Sequence, residues 1–580
     1  MAYFNIKTIS ESWISFERMV CRFLIYDGFS GVRLVGQTND KGADIIAHKA
    51  GKRWLIQVKH WKIPVGMEVL EQTLNAMRYY HANIPVIISL KGFQEAALRQ
   101  RNALLQKRIP IQLWGATELI QKAELFEDAY PFGNPDDIFD KRDYQEQAIQ
   151  LIIQEFEYNK SKKALIVMAT GLGKTHVLYE FIRRLRQLRK QRVLIIAHTN
   201  ALVNQLEKNM WTYLKTSDET LVWNGYEPQN YITLSRASSV FACLNTVASY
   251  ISSGAEMPHF DLVAIDECHH VGVDGMYNAV IENLRGGGDD GPKLIGVTAT
   301  PWRPDQTDLS RYFGEPLISI DMLTGLKKGF LANIDYRMYT DNIDWKGLKS
   351  LHGEKLSPRG INRTLFISNW DDAVVLELQK VWSTQDNPRA IVFCGIIDHA
   401  IMMKDKINAL GFCRAEAIYS KLSNGKVMES FERNKILCDF HDGKVQVVCA
   451  VDIFNEGIDV PDVNIVVFQR VTHSRRIFIQ QLGRGLRLSS GKSKVIVLDF
   501  VSDIRRFAAG LSLKDTLDEA RANSKGKPAW VKIDHKVEFC KVGGSDSKAE
   551  TFLREWLDDV AAIEDANEDA SLLKFPPAFK

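Results

Sequence analysis

Two groups of residues in this chain have types and spacings suited to phosphate chemistry. The first is Ala169-Thr170-Gly171-Leu172-Gly173-Lys174-Thr175, which follows the apolar run ALIVM and precedes HVLYEFIRRL. A strand, a glycine turn and a helix start let backbone N–H groups close around phosphate oxygens. Thr170, Gly171 and Gly173 then form the loop, Lys174 reaches the terminal phosphates and Thr175 offers its hydroxyl to Mg2+. Met168 stands where the general pattern begins with glycine. Some ninety residues on, Leu262-Val263-Ala264-Ile265 delivers Asp266 and Glu267 to a strand end. Such a pair can divide the work, Asp266 orienting a metal ion and Glu267 the attacking water. The second group lies near the amino terminus, where ADIIAH and RWLIQVKH flank Ala50-Gly51. A two-residue hairpin turn there pairs residues whose numbers sum to 101, so Asp44 faces Gln57. Strand alternation adds Lys59 to the same face. An acid, an amide oxygen and an ammonium on one face suit metal-assisted attack on a phosphodiester. A solvated hairpin face would show the same polar alternation.

These residues need a frame. The chain has 580 residues, 45% hydrophobic and 25% charged, which excludes disordered, collagen-like and membrane-channel classes. No run of 18 apolar residues is present, and the start, MAYFNIKTISESW, lacks a basic head followed by an apolar stretch. Eight scattered cysteines without a CxxC pair predict buried, reduced thiols and a cytoplasmic protein, with no zinc site. Residues 1–130 form an α/β block, 131–140 a turn-rich linker, 326–375 a connector, and 509–580 a mainly helical tail that includes AETFLREWLDDVAAIEDA. Between them, 141–325 and 376–508 alternate apolar runs (ALIVMAT, RVLIIAH, LVAIDE; RAIVFCG, VQVVCAV, KVIVLDF) with amphipathic stretches, which predicts two tandem parallel sheets. Net charge is +3, an average over a basic first block, with 17 basic and 12 acidic residues, and an acidic last forty, with nine acidic and five basic.

The ATP-type motifs resemble those of superfamily 2 helicases and translocases, in the DECH form and nearest to restriction-enzyme translocating subunits. The family's other segments appear in order: Arg142-Asp143-Tyr144-Gln145, Ala197-His198-Thr199-Asn200 through Gln205, Leu244-Asn245-Thr246, Thr298-Ala299-Thr300-Pro301, Phe393-Cys394-Gly395, Asn455-Glu456-Gly457-Ile458-Asp459, and Gln480-Gln481-Leu482-Gly483-Arg484-Gly485-Leu486-Arg487. The resemblance covers roughly residues 140–505. It implies two RecA-like domains that bind ATP and Mg2+ between them, with Gln145 reading the adenine and Gly457, Asp459 and Gln480 contributing to the nucleotide site. It also implies backbone grips on nucleic acid at 197–205 and 244–246. Arg484 and Arg487 are three apart and share a helix face; the resemblance makes them arginine fingers. Gln481 stands where many relatives have arginine.

Asp44 followed by Gln57-x-Lys59 resembles the Mrr-like branch of the PD-(D/E)xK nucleases, over roughly residues 10–120. The resemblance implies a restriction-endonuclease-like fold, Mg2+ held by Asp44 and Gln57, Lys59 acting on water or phosphate, and Glu17 as the family's preceding helical glutamate. Gln57 in place of an acid costs the metal one negative ligand.

Together these features predict a translocase that hydrolyses ATP on DNA, duplex or single-stranded, fused to a Mg2+-dependent endonuclease. A role in restriction or anti-phage defence follows by analogy, without a membrane partner and with a homo-oligomer or defence-system subunits as partners. Two other readings fit the same residues: a repair or remodelling helicase whose first domain only binds DNA, and an accessory subunit of a larger complex. Trp54 and Trp61 read as core packing. Cys268-His269-His270 read as coupling or packing residues, and the basic run Arg183-Arg184-Leu185-Arg186 as a solvated helix face.

Overall fold

The computed structural model describes residues 12–36, 42–126, 128–140, 142–271, 275–285, 291–299, 309–320, 324–325, 328–338, 368–419, 427–451, 463–469, 494–500, 531–533 and 537–541. They fall into two compact units, one from 1–166, 175–318 and 429–435, the other from 167–174, 319–428 and 436–580.

The amino-terminal sheet runs β1 (Ser30–Leu34), β2 (Ile45–Lys49), β3 (Lys52–Lys59), β4 (Ile84–Ser89) and β5 (Gln112–Trp114) in spatial order. The first three strands are antiparallel, and β3, β4 and β5 are parallel. β2 and β3 pair Ile45 with Ile56 and Lys49 with Lys52, the register expected from the turn. Ala50 and Gly51 both have positive φ, 53° and 69°, as the tight hairpin turn that matches strand twist requires. One step further, Asp44 stands opposite Gln57. Helix Trp13–Tyr26 covers the sheet with Phe16, Val20, Phe23 and Leu24 buried.

The second sheet comprises β6 (Lys163–Met168), β7 (Val193–Ala197), β8 (Thr220–Trp223), β9 (Ser239–Cys243), β10 (Leu262–Asp266), β11 (Lys293–Thr298) and β12 (Pro316–Ile320), in the order β12-β6-β11-β10-β7-β9-β8. The pairings among β7 to β11 are parallel. Residues on both faces, such as Leu262 and Val263 on β10 and Leu194 and Ile195 on β7, are buried, each worth about 1.5–3 kcal/mol of transfer free energy.

The third sheet comprises β13 (Asn333–Met338), β14 (Ala390–Cys394), β15 (Ala415–Ile418), β16 (Val447–Ala450), β17 (Ile465–Gln469), β18 (Lys494–Asp499), β19 (Val531–Ile533) and β20 (Val537–Lys541), ordered β15-β16-β14-β17-β18-β13-β20-β19. Two expectations change here. The segment read as a connector contributes β13, and the described part of the tail read as mainly helical is strand. The physical reason is pairing: β13 covers the edge of β18, and β20 covers β13, so short alternating runs (NIDYRM, VEFCK) gain backbone partners. The helix expected at 549–566, and Gly457, Asp459, Gln480, Arg484 and Arg487, lie outside the described residues.

The basic run on helix Lys174–Leu188 is also not a solvated face. Arg183 is 5% exposed and pairs with Glu180 and Asp136, Arg184 pairs with Glu146 and Glu180, and Arg186 donates to Ser238 O at 2.6 Å. Partners distant in sequence turn the run inward. Six described cysteines, including Cys21 and Cys268, are buried as free thiols, and burial pushes Cys21 up to about 12.

Within the first unit, helix Trp13–Tyr26 also docks on the second sheet's domain. Ser15, Arg18, Arg22 and Tyr26 recur every three to four residues and form one face. Arg18 Nε lies 2.7 Å from Glu207 Oε2, and its Nη1 pairs with Glu227, which also accepts from Ser15. Arg22 donates to the carbonyls of Asp218 and Lys215, both at 2.8 Å, and Tyr26 to that of Leu214 at 2.7 Å. Lys208 returns a bond to Val32 O. Burial pushes the Glu207 carboxyl above the usual carboxylate range, and Arg18 pulls it back. Arg18→Ala strands two buried carboxylates and should cost about 3–5 kcal/mol in urea unfolding. A folded-state pKa raised further makes that cost greatest at high pH and relieves it as pH falls and Glu207 protonates. A wild-type midpoint at every pH would refute the clamp.

Candidate functional sites

At the end of the amino-terminal hairpin, Asp44 is 3% exposed and Gln57 1% exposed. Asp44 Oδ2 accepts from Val58 N at 2.6 Å, which fixes the carboxylate against β3. Its backbone carbonyl accepts from Val35 N and Gly36 N, so the chain crosses tightly over it; a Cβ on Gly36 would fall 2.8 Å from Asp44 Oδ1. The Thr73 hydroxyl, on helix Met67–Tyr79, is within hydrogen-bond distance of the Gln57 side-chain amide. Lys59 is half-buried, two residues along the same face, with Nζ 5.8 Å from the Trp61 ring centroid. Trp61 is 40% exposed and so stands outside the core, whereas Trp54 packs edge-on to Phe29 at 5.1 Å. Glu17 is buried on the first helix, whose Phe16 ring meets His60 at 5.6 Å, just past β3. Ser89 pairs with Lys59 across β3 and β4, fully buried, with a hydroxyl that has no hydrogen-bond partner among the described residues. A buried carboxylate, a buried amide and a neighbouring orphan hydroxyl are a donor set that fits a hard divalent cation.

In the motor part, the phosphate loop leaves β6 and runs directly into helix Lys174–Leu188. Gly171 and Gly173 have φ of 93° and 84°, where a side chain would strain the backbone. Leu172 N bonds Ala169 O at 3.2 Å, closing the turn. A glycine turn ahead of a helix start fits an anion.

At the end of β10, Glu267 adopts φ 48°, ψ 50°, a left-handed conformation that costs a non-glycine residue about 1–3 kcal/mol. Its carboxylate Oε2 stands 3.2 Å from His269 Nδ1 and 3.5 Å from Ala299 N. The same imidazole nitrogen is 2.9 Å from Thr298 Oγ1 at the end of β11. His270 stacks near both His269 and His198, with centroids 4.4 and 4.2 Å apart. The residues after the acidic pair therefore connect three strand ends through side chains. Gln145 is 6% exposed and lines a small cavity with Phe139, Arg142, Ile149 and His176. Phe139 stacks on Tyr213 at 4.9 Å and 7°.

Residues 9–123 match the restriction endonuclease family of Mrr type, 138–303 the family described as type III restriction enzyme, res subunit, and 372–489 the helicase conserved C-terminal domain. In order, the chain carries a segment matching a restriction-endonuclease family and two segments matching helicase-type families. The chain is 27% identical over 521 residues to the endonuclease subunit of the type I restriction enzyme EcoAI of Escherichia coli, covering 81% of this chain and 61% of that protein. It is 24% identical over 432 residues to the DNA 3'-5' translocase XPB2 of Sulfurisphaera tokodaii, covering 69% and 90%. The fold resembles the ATP-dependent type ISP restriction-modification enzyme LlaBIII bound to DNA, with a TM-score of 0.51 at 15% identity, over 96% of this chain and 42% of that one. Among the described residues no helix is long and apolar enough to cross a membrane.

Thr73, Ser89, Phe139 and the Arg18 face carry no signal in the sequence alone. Each is a common residue type whose position becomes special only through packing. Gly296 on β11 is another: a Cβ there would meet the Phe313 ring at 2.7 Å and Cys268 Sγ at 2.9 Å. Gly296→Ala should lower unfolding free energy by about 1–3 kcal/mol, read in urea. An unchanged midpoint would mean that the contact behind Glu267 is slack.

Proposed function

We propose that this chain is a cytoplasmic DNA translocase driven by ATP hydrolysis, whose amino-terminal domain cuts the DNA it engages, in a restriction or anti-phage defence role. The observation that carries the reading is that Asp44, Gln57 and Lys59 share one face of a hairpin in the same compact unit as Glu267 and its partners. We take the nuclease domain as 1–130, 131–140 as linker and the first motor domain as 141–325; the second motor domain, 376–508, also takes in β13 from the segment read as connector and β19 and β20 from the tail.

The divalent ion, Mg2+ in this reading, would be held by Thr175 and Asp266 in the motor and by Asp44 and Gln57 in the nuclease, and would neutralise phosphate oxygens at each. In the motor, Lys174 and the loop N–H groups bind the terminal phosphates, Gln145 reads the base, and Glu267 orients the attacking water. His269 and Ala299 N hold the Glu267 carboxylate from one side, so its strained backbone stays in place. Arg484 and Arg487 are assigned the closing charges. In the nuclease, Lys59 steadies the developing charge on the phosphate or the attacking water, and Glu17 supports it from the first helix. The Arg18 face keeps that helix on the motor domain, so the nuclease rides with it.

Two variants separate the functions. Lys174→Ala should reduce DNA-stimulated phosphate release from ATP by about 10²-fold or more. Lys59→Ala should keep that release and lose Mg2+-dependent cleavage of plasmid by about 10²-fold or more. A wild-type chain that hydrolyses ATP on DNA yet cuts no plasmid, modified or unmodified, would leave a helicase with a DNA-binding first domain.

A further inference from the structure

Gln57 presents a problem that a carboxylate would not. A carboxylate can ligate a cation through either oxygen, whereas an amide can do so through one atom only, so its orientation must be fixed. Thr73, fully buried on helix Met67–Tyr79, sits where it can do this. Its hydroxyl is within hydrogen-bond distance of the Gln57 side-chain amide and lies 2.7 Å from the carbonyl of Val69, one turn earlier. With the amide oxygen facing Thr73, one hydroxyl proton is wanted by two acceptors, and the Gln57 nitrogen is buried without a partner. With the amide turned by half a rotation both conflicts vanish. The nitrogen donates to Thr73 Oγ1, Thr73 donates to Val69 O, and the amide oxygen occupies the outward position. Amide orientation is decided by such networks. The outward position borders Gly42, two residues before Asp44: a Cβ on Gly42 would stand 3.1 Å from the amide atom there, and Gly42 has φ 86°. Glycine therefore leaves beside the Gln57 amide the room that a side chain would fill.

We infer that Thr73 is a positioning residue of the nuclease site, which locks the Gln57 amide with its oxygen outward as a neutral ligand for the divalent cation beside Asp44. The assignment rests on the reading of Asp44 and Gln57 as metal ligands, and it explains how the site works with one acid fewer. Thr73 touches neither metal nor substrate; it acts through Gln57.

The test is Mn2+ binding to the full-length chain by calorimetry without nucleotide, on the wild type, Asp44→Ala, Thr73→Val, Thr73→Ser, Gln57→Glu and the double variant Gln57→Glu/Thr73→Val. Asp44→Ala identifies which binding step belongs to this site. Thr73→Val keeps the volume and removes the hydroxyl; it should weaken that step by about 10-fold or more, the usual range for a partner that orients a ligand. Thr73→Ser should restore it, and DNA-stimulated ATP hydrolysis should stay at the wild-type rate in both. In the Gln57→Glu background, where either oxygen can ligate, Thr73→Val should lose most of its effect. Unchanged Mn2+ affinity in Thr73→Val, failure of the serine to rescue, or an undiminished effect beside Gln57→Glu would overturn the role of Thr73 and leave the nuclease reading intact. Wild-type binding indistinguishable from Asp44→Ala would overturn the metal reading, and the Thr73 assignment with it.

Discussion

A largely covered guanidinium, 11% exposed, between two buried carboxylates ties the first helix to the second sheet's domain. Arg18 meets Glu207 and Glu227, both buried, so neither carboxylate tolerates the loss of its partner. The same helix shows its apolar face to the nuclease sheet and its polar face to the motor domain. On the motor side the partner Glu207 lies in helix Asn200–Met210, which begins at the segment likened to a DNA backbone grip. That helix is thus tied by side chains to the helix bearing Glu17.

Both candidate sites place their chemistry at the ends of strands and fix it with neighbours. In the motor, Glu267 takes a conformation that few residues accept; Ala299 N and His269 face its carboxylate, and Thr298 holds His269. In the nuclease, Asp44 is held by a backbone N–H and Gln57 by Thr73. Preorganisation of this kind removes the reorganisation cost from the reacting step. It also explains why so many small residues lie nearby: Gly36, Gly42 and Gly296 each leave room that a methyl group would take from a functional side chain or its support.

Local chemistry made much of this legible before any coordinates. The Ala50-Gly51 turn dictates the pairing of Asp44 with Gln57 because a two-residue turn permits one register. Glycines beside Lys174, and Asp266-Glu267 after four apolar residues, announce themselves through spacing. What could not be read depends on partners far along the chain. Arg18 and Glu207 are close only in the fold, and Arg184 turns inward because Glu146 waits on another helix. Thr73 is one threonine among many until Gln57 stands beside it. β13 and β20 become strands because each needs an edge to pair with, and short alternating runs give that edge no voice in a linear reading.

The central claim is that one chain drives DNA cleavage with ATP. It is tested most directly by cutting of closed circular plasmid by the wild-type chain in Mg2+, with ATP in one arm and a non-hydrolysable ATP analogue in the other. The account predicts cleavage with ATP and its loss with the analogue, because the nuclease rides on a motor that must turn over. Equal cleavage in both arms would contradict it.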